Sequence, residues 1–206
     1  HLLYVTYSTT GDRHLWVHNV QANHIVEVSA DSVLGDSWSS LWLSPNKAFV
    51  IGNTLNDLWL GELIEDDGQF NLDYVKPLLS EGSLTPYWAP DSAKLAVASY
   101  GQFANILRII DLNTDETIEI TFPHTIATVD WSPDSQVLIV SNYGAGTGLP
   151  NSVYTVNVEG DGLRQLNDFF FGYMQWSPNG QYLGLSLSDD TSAHNPFGII
   201  KVEVNQ

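Results

Sequence analysis

The sequence predicts an all-β fold made of repeated four-stranded antiparallel units, and three observations predict it. A turn motif of the form [Trp/Leu]-[Ser/Ala]-Pro-[Asp/Asn] occurs four times, with its prolines 45, 43 and 45 residues apart. An apolar strand motif lies out of phase with these turns and occurs five times, at spacings of 43, 49, 46 and 46 residues. Between the turns, β-branched and aromatic residues dominate and no sustained helical period appears, which favours strands over helices.

The two motifs define the repeated unit. The turn motif begins at Leu43, Trp88, Trp131 and Trp176. The strand motif occupies residues 15–20, 58–63, 107–112, 153–158 and 199–204. Proline presets the backbone for a turn, and the Asp or Asn that follows can hydrogen-bond its own backbone two residues on. In the copy at Leu43 a leucine replaces the tryptophan, and we predict a turn one residue shorter than the others.

The third unit shows the predicted order of elements. A first strand over residues 85–88 enters the Pro-Asp-Ser turn, and a second strand follows over 94–99. The third strand covers 106–112, and after an Asn-Thr-Asp turn the fourth covers 117–121. The first unit begins with a second strand at 2–7, and the last stops after a third strand. The sequence therefore predicts 18 strands in groups of three, four, four, four and three.

Four-stranded units that recur about every 40 to 50 residues are typical of a β-propeller, in which each sheet, or blade, packs against its neighbours. We predict a single β-propeller domain over residues 1–206, with about five blades present. The blade boundaries are approximately 1–35 (partial), 36–80, 81–123, 124–168 and 169–206 (partial). The missing strands at the two ends do not complete one blade, which favours part of a larger ring over a small distorted one. Aromatic residues at fixed repeat positions are expected to fill the wedges between blades.

The repeat resembles the TolB-type, or WD-repeat-like, bacterial propeller family. The resemblance is carried by the Trp-Ser-Pro-Asp turn at Trp131 and by residues 153–166, which end in Glu-Gly-Asp-Gly-Leu-Arg-Gln-Leu. Similar repeats occur in the substrate-gating propellers of prolyl oligopeptidase and dipeptidyl peptidase relatives. The resemblance identifies a repeat and not a function. Our preferred hypothesis is a non-enzymatic platform for a protein partner or small ligand, and the resemblance implies export to the periplasm or the extracellular space. The alternative is the gating or substrate-binding part of a larger enzyme, either serine peptidase-like or a propeller-fold hydrolase or lyase.

The charge balance excludes some partners. The chain has 24 Asp and Glu against 7 Lys and Arg, for a formal net charge of −17. The basic residues are scattered singly, so no basic stripe can neutralise phosphates, and nucleic acid and anionic membrane surfaces are poor partners.

No apolar run reaches the roughly 20 residues that cross a bilayer, so membrane insertion is not expected. The absence of Cys excludes disulfides, thiol nucleophiles and cysteine-ligated metals. Further blades or domains of the same protein remain possible partners.

The unequal loops predict which propeller face binds. Turns from first to second strands and from third to fourth strands are short, whereas the connections on the opposite face lengthen along the chain. We call the first face the turn face and the second the loop face. Irregular loops on a rigid scaffold commonly carry binding residues. The candidate ligand- or partner-binding residues on the loop face are Tyr100, Gln102, Phe103, His124, Tyr143, Phe169, Asp189, Asp190 and His194.

Each suggestion of more specific chemistry has a structural alternative. The Gly-rich segment 142–151 lacks the Lys-Ser/Thr ending of a phosphate-binding loop, so a hairpin is favoured. Asp189, Asp190 and His194 offer three ligands for a divalent cation but no fourth, so a solvated loop is favoured. The Phe triplet 169–171 is either core between blades or an exposed partner-binding patch.

The sequence contains no motif that indicates a catalytic site. No Gly-x-Ser-x-Gly motif occurs, and the acidic residues at 65–67 are adjacent rather than facing one another. His14 and His18 lie about 13 Å apart on an extended segment, at about 3.3 Å per residue, which is too far to chelate one metal. We therefore predict no catalytic residue, no cofactor and no metal site, and an enzyme is the less favoured interpretation.

Overall fold

The structure is a computed structural model of the 206-residue chain. It describes residues 2–29, 40–46, 49–53, 57–80, 84–99, 104–143, 152–167, 171–187 and 197–201. Within these ranges the regular structure consists of β-strands without a helix. The all-β prediction is therefore confirmed.

Eighteen strands lie within the described residues. Their bounds are β1 Leu2–Tyr7, β2 Arg13–Asn19, β3 His24–Ser29, β4 Ser40–Leu43, β5 Phe49–Asn53, β6 Leu58–Asp66, β7 Gln69–Leu79, β8 Leu84–Trp88, β9 Lys94–Ser99, β10 Ile106–Asp111, β11 Thr117–Thr121, β12 Thr125–Trp131, β13 Val137–Tyr143, β14 Ser152–Asn157, β15 Arg164–Asn167, β16 Phe171–Trp176, β17 Tyr182–Leu187 and β18 Phe197–Lys201. The predicted number of 18 strands is confirmed, and they fall into the groups β1–β3, β4–β7, β8–β11, β12–β15 and β16–β18. We call these groups blades 1 to 5.

The chain folds into two compact units, His1–Leu84 and Thr85–Gln206. The first unit holds blades 1 and 2, which form one seven-stranded sheet in the order β1-β2-β3-β7-β6-β5-β4. The two blades join because β3 and β7 pair in parallel, with Val28 opposite Phe70 and Ser29 opposite Asn71. This junction was not predicted from the sequence.

The long β6–β7 hairpin makes this junction possible. β6 has 9 residues and β7 has 11, so the hairpin extends beyond the length of the other blade strands. Its turn places Asp67 at φ 48° and Gly68 at φ 77°, the left-handed conformations that a tight two-residue hairpin turn requires. The extended part of β7 then pairs with the outer edge of blade 1 through Phe70 and Asn71.

The second unit contains three separate antiparallel sheets. Blade 3 has the order β11-β10-β9-β8, blade 4 the order β12-β13-β14-β15, and blade 5 the order β16-β17-β18. Sequential strands are neighbours in each sheet, as the repeat predicted.

Hydrophobic side chains from neighbouring blades form the cores. One cluster joins blades 3 and 4 and includes Ala96, Leu107, Leu138 and Tyr154. A second joins blades 4 and 5 through Ile139, Val153, Trp176 and Leu183. A third joins blades 1 and 2 through Leu15, Val17, Val28, Trp59 and Leu72. Trp59, Trp131 and Trp176 are each at most 6% exposed, which confirms the expectation that repeat aromatics fill the wedges.

One hydrogen-bond pattern closes the repeated turn. The Ser132 hydroxyl donates to Asp134 Oδ1 at 2.6 Å and accepts the Val137 N–H at 2.8 Å. Asp134 Oδ1 also accepts the Gln136 N–H two residues on, as predicted. Ser135 follows with φ 61°. Equivalent bonds close the turn at Ser177.

The turn at Ser44 corrects one prediction. Ser44 Oγ accepts the Phe49 N–H at 3.0 Å and donates to Asn46 Oδ1 at 2.7 Å. Ser44 and Phe49 are five residues apart, the same separation as Ser132 and Val137. The expectation of a turn one residue shorter was therefore wrong, because the shared hydrogen bonds fix the turn length.

Candidate binding face

The structure describes two of the nine predicted binding residues, His124 and Tyr143. The other seven lie outside the described residues, namely Tyr100, Gln102, Phe103, Phe169, Asp189, Asp190 and His194. The Gly-rich segment from 144 onward also lies outside them. The predicted face is therefore described at blade 4, where its strands meet the loops.

His124 and Tyr143 lie together at the loop-face end of blade 4. Tyr143 is the last residue of β13, and its register partner is Thr125, the first residue of β12. His124 directly precedes Thr125, so it lies beside the end of β13. Its carbonyl oxygen accepts a hydrogen bond from Asn142 Nδ2 at 2.5 Å.

Asn142 is the distinctive residue at this end of the blade, and sequence reasoning missed it as a site residue. Asn142 is 2% exposed, and its Oδ1 is buried without a hydrogen-bond partner. Since a carbonyl can bond only the NH2 end of the amide, the contact with His124 fixes which atom is Oδ1. Leaving a buried acceptor unpaired costs about 1 to 3 kcal/mol. A polar Asn near the end of the mainly apolar strand β13 was the signal that could have identified it.

Neighbouring buried polar groups at the loop-face ends of the strands are paired. The hydroxyls of Ser141 and Thr128 are 2.9 Å apart, and Gln165 Nε2 donates to Ser152 Oγ at 3.1 Å. In blade 3, Arg108 donates from Nη1 to Ser99 Oγ at 3.0 Å and from Nε to Glu119 at 2.7 Å. Asn142 Oδ1 is therefore an exception among the buried side chains that surround this end of blades 3 and 4.

Several turns of the turn face are closed by local hydrogen bonds. In addition to the serine turns, Asp111 Oδ1 accepts the N–H groups of Asn113 and Thr114. The backbone hydrogen bond from Asn113, more than the nearby Lys94, lowers the pKa of Asp111 despite opposing desolvation. Carboxylates that their own turns hold in this way serve local structure and need no ligand.

Asp130 links blades 4 and 5 rather than forming part of a site. Its Oδ2 accepts the backbone N–H of Trp176 at 3.1 Å, and its Oδ1 accepts that of Trp131 at 3.0 Å. Burial raises the pKa of this carboxyl, and the two backbone hydrogen bonds oppose the rise. The interaction is structural, because both bonds go to the backbone of blade core residues.

Neither the histidines of blade 1 nor a cluster of metal ligands forms a second candidate site among the described residues. His14 Nδ1 lies 2.5 Å from Glu27 Oε1 on the next strand, and the ring contacts Trp16. No group of three or more His, Asp or Glu that could hold a metal occurs within the described ranges. The predicted alternatives at Asp189, Asp190 and His194 lie outside those ranges.

Comparison with known proteins identifies the fold. No protein-family model matches the chain, and no curated protein is similar to it in sequence. TolB from Acinetobacter baumannii superposes with a TM-score of 0.60 at 15% identity, over 97% of this chain and 49% of that one. The β-propeller domain of the Trilobed protease from Pyrococcus furiosus gives 0.65 at 16%, over 97% and 64%. Hsv2 from Kluyveromyces lactis gives 0.62 at 12%, over 98% and 58%.

These similarities establish the architecture. The chain spans about half to just under two thirds of the lengths of the three proteins it resembles. Within the described residues, no helix has the length and apolar character to cross a bilayer. The repeated turns, the sheets and the blade-to-blade cores agree with the structural neighbours, which confirms the resemblance to TolB at the level of the fold: this chain is a β-propeller.

Proposed function

We propose that this β-propeller is a non-enzymatic binding platform, and that its loop face binds a protein partner or small ligand. The observation that carries the proposal is the unpaired, buried Oδ1 of Asn142 beside His124. It lies next to Tyr143, one of the predicted binding residues, where β13 enters the long connection to β14.

The contrast between the two faces supports this assignment. The described turns of the turn face pair their Ser, Asp and Asn side chains within the turn, whereas Asn142 Oδ1 at the loop face has no hydrogen-bond partner. An unpaired acceptor at the loop face is stabilised when a bound molecule supplies an N–H or O–H donor. We therefore expect a ligand or partner with a donor group at this position. The acidic chain further favours a neutral or cationic partner over a polyanion.

Two matched sets of variants test the choice of face. A binding partner is first isolated by affinity capture with the wild-type chain from an extract of its source organism, and its affinity is then measured with the purified components. The loop-face variant carries Gln102→Ala, Tyr143→Ala and His194→Ala. The turn-face control carries Glu116→Ala, Gln136→Ala and Gln181→Ala, all exposed polar positions.

The proposal expects the loop-face variant to lose about tenfold or more in affinity while the turn-face control stays within about twofold. A partner that is lost with the turn-face set and retained by the loop-face set contradicts it. Equal affinity of both variants and the wild type contradicts it as well.

A single-residue comparison examines Asn142 itself. Asn142→Ala removes the unpaired acceptor, whereas Ser141→Ala removes the neighbouring hydroxyl that is paired with Thr128. We expect the affinity to fall with the first variant and to be unchanged with the second. A loss of thermal stability without any loss of affinity in Asn142→Ala would assign this residue to the fold alone.

Export belongs to the same proposal. The resemblance to TolB-type propellers supports a periplasmic or extracellular location, and the absence of Cys is compatible with it. Fractionation of the source cells tests this location, and recovery of the protein with the cytoplasm would contradict it.

The likeness to the propeller domain of a protease is one of fold and does not favour the alternative of an enzyme component.

A further inference from the structure

Blade 3 ends at a strand edge that no described strand pairs with. β11 is the terminal strand of its sheet, and β10 is its partner on the other side. The pairing with β10 is regular over all five residues of β11. We call the side of β11 that is turned away from β10 the outer edge. The outer edge runs from the turn-face end to the loop-face end of the blade, so it belongs to neither face.

Two hydrogen bonds fix the phase of the ladder between β10 and β11. The Phe122 N–H donates to the Asn105 carbonyl at 2.8 Å, beyond one end of the pairing. The Asp111 N–H donates to the Glu116 carbonyl at 2.9 Å, beyond the other end. In an antiparallel pair, hydrogen-bonded and non-hydrogen-bonded residue pairs alternate. Every second residue of β11, counted from Glu116 to Phe122, therefore bonds β10.

This alternation shows which backbone groups face outward. Ile118 and Ile120 direct their N–H and C=O groups toward β10. Thr117, Glu119 and Thr121 direct theirs toward the outer edge, and the side chains of these three residues are exposed. The outer edge therefore presents three N–H donors and three C=O acceptors in a regular row.

The other described fourth strands carry features that protect a sheet edge. β3 is paired with β7, and β7 itself contains Pro77 and has two register shifts in its pairing with β6. β15 has four residues, contains Arg164 and has a register shift against β14. Pairing, proline, basic residues and bulges are the usual means by which proteins block strand addition. Among the fourth strands that the structure describes, β11 has none of these features.

Glu119 occupies the centre of the outer edge and is held in place. Arg108, which is 5% exposed, donates from Nε to Glu119 Oε1 at 2.7 Å and from Nη1 to Ser99 Oγ at 3.0 Å. The side chain of Glu119 is nevertheless 56% exposed. A carboxylate is thus fixed in position and accessible where an added strand would lie. An opposite charge directly across from it would stabilise the pairing.

The sequence of β11 disfavours a second copy of this chain as the added strand. Residues 117–121 read Thr-Ile-Glu-Ile-Thr in both directions, so symmetric antiparallel pairing of two copies would place Glu119 opposite Glu119. Like charges directly opposite each other are destabilising. Each copy also has a formal net charge of −17. A basic segment meets neither penalty.

The adjacent turn of blade 4 adds negative charge. Gly160 packs on Ile118 so closely that a Cβ on this glycine would lie 2.8 Å from Ile118 Cγ2. Glu159 and Asp161 flank Gly160, and both are exposed. A basic segment that approaches the outer edge therefore meets complementary charge beside the strand as well as at its centre.

We propose that the outer edge of β11 binds an extended, basic segment of a partner protein, which adds a fifth strand to blade 3. The backbone of the segment bonds the outward groups of Thr117, Glu119 and Thr121. A Lys or Arg lies opposite Glu119, and β-branched residues lie opposite Ile118 and Ile120. This site is distinct from the loop face, and the inference is independent of the proposed binding function.

Binding of a synthetic peptide to the 206-residue chain tests this proposal. The probe is the acetylated and amidated peptide Lys-Thr-Val-Lys-Val-Thr-Lys, whose central lysine can lie opposite Glu119. One control peptide replaces the central lysine with glutamate. The other carries N-methyl groups on the central lysine and both threonines, so it keeps its charge but loses the N–H groups that would face β11. Calorimetric titration measures the affinity for each peptide.

We expect both control peptides to bind at least about tenfold more weakly than the probe. The first places like charges opposite each other, and the second cannot complete the ladder. Equal affinity for the probe and the N-methylated peptide overturns the proposal, because charge alone would then explain binding. Absence of binding at a probe concentration of about 1 mM overturns it as well.

Backbone NMR locates the bound probe. The amide signals of Thr117, Glu119 and Thr121 are expected to shift most, and their hydrogen exchange is expected to slow. Shifts centred on Asn142 and Tyr143 would place the peptide at the loop face and overturn the proposal. Protection of the outer edge without peptide, increasing with the concentration of the chain, overturns it in favour of a second copy.

A matched pair of variants provides a further readout. Thr121→Pro removes one outward N–H at a position where an edge strand tolerates proline, whereas Thr121→Val keeps that N–H. The first is expected to weaken probe binding at least about fivefold, and the second to stay within about twofold of the wild type. Equal affinity of both folded variants contradicts the proposal. If the melting curve shows that Thr121→Pro does not fold, the N-methylated peptide decides.

A loop-face variant separates this site from the proposed binding face. Tyr143→Ala is expected to bind the probe as the wild type does, whether or not the loop face binds a partner of its own. Loss of probe binding in this variant overturns the assignment to the outer edge.

Discussion

Blades 1 and 4 share one repeat but differ in how they are buried. In blade 4, the consecutive residues Leu138, Ile139 and Val140 of β13 are all 0% exposed, because blade 3 covers one face and blade 5 the other. In blade 1, Leu15 and Val17 are buried whereas the intervening Trp16 is half-buried. A continuous apolar run thus marks a strand covered on both faces, and alternation marks a strand covered on one.

This difference makes the blades unequal contributors to stability. Blade 4 shares a core with blade 3 and another with blade 5, whereas the described core of blade 1 is the one it shares with blade 2. The following four predictions test that inequality and its physical sources, in order of decreasing effect.

The largest effect is expected from core truncation. Leu138→Ala should lower the free energy of unfolding by about 3 kcal/mol, because the fully buried site leaves a cavity. Leu3→Ala in blade 1, where the leucine is half-buried against the blade 2 core, should cost about 1 kcal/mol. Urea denaturation of both variants measures the difference. Equal costs would show that the two blades are equally well packed.

The second prediction concerns hydrogen bonds between blades. Trp131 Nε1 donates to the Tyr87 carbonyl of blade 3 at 2.9 Å, whereas Trp176 Nε1 is buried without a partner. Trp131→Phe breaks a bond and should destabilise the protein by about 1 to 2 kcal/mol more than Trp176→Phe, which removes an unsatisfied donor. Thermal denaturation of both variants compares them. If Trp176→Phe proves the costlier change, the indole hydrogen bond is not a source of stability in blade 4.

The third prediction addresses the serine turn, which blade 4 contains and the described part of blade 1 does not. Ser132→Ala removes the acceptor of the Val137 N–H and should cost about 1 kcal/mol. Ala89 occupies the equivalent position in blade 3, so Ala89→Ser should have a smaller effect of opposite sign. Denaturation midpoints measure both. Destabilisation by both substitutions would mean that packing, rather than the turn hydrogen bond, determines the residue at this position.

The smallest effect is the pH dependence contributed by Asp130. Burial raises the pKa of this carboxyl above its ordinary value of 3.8, so the folded state binds its proton more readily than the unfolded state. The contribution of Asp130 to the free energy of unfolding should therefore increase as the pH falls through the raised pKa toward 3.8.

The Asp130→Asn variant lacks the ionisable carboxyl group and serves as the reference for the wild type. The free energy of unfolding of the wild type, relative to this variant, should rise on acidification when the two are compared across a pH series. A relative decrease would show that the two backbone hydrogen bonds outweigh the burial of the carboxylate.

Local chemistry explains what could be predicted from the sequence. The Pro-Asp turns and the strands around them depend on interactions within a few residues, and the predicted second and fourth strands of blade 3 coincide with β9 and β11. The prediction of a shorter turn at Leu43 was wrong, because the hydrogen bonds of Ser44 to Asn46 and Phe49 span the same number of residues as those of Ser132 to Asp134 and Val137.

Interactions between distant residues explain what could not be predicted. The parallel pairing of Val28 with Phe70 joins segments some forty residues apart, and no motif indicates it. The unpaired state of Asn142 depends on what surrounds its amide after folding, which strand patterning does not reveal. At the candidate binding face, the sequence predicted that His124 and Tyr143 share one face, and the structure brings them to the same end of blade 4.

The pairing of β3 with β7 has a consequence for the order in which the chain folds during synthesis. The outer edge of blade 1 is complete in sequence at Ser29, but its partner residues Phe70 and Asn71 emerge from the ribosome much later. Until then that edge offers unpaired backbone groups to any other strand. Blades 1 and 2 are therefore expected to mature as one cooperative unit, with the β6–β7 hairpin as its final step.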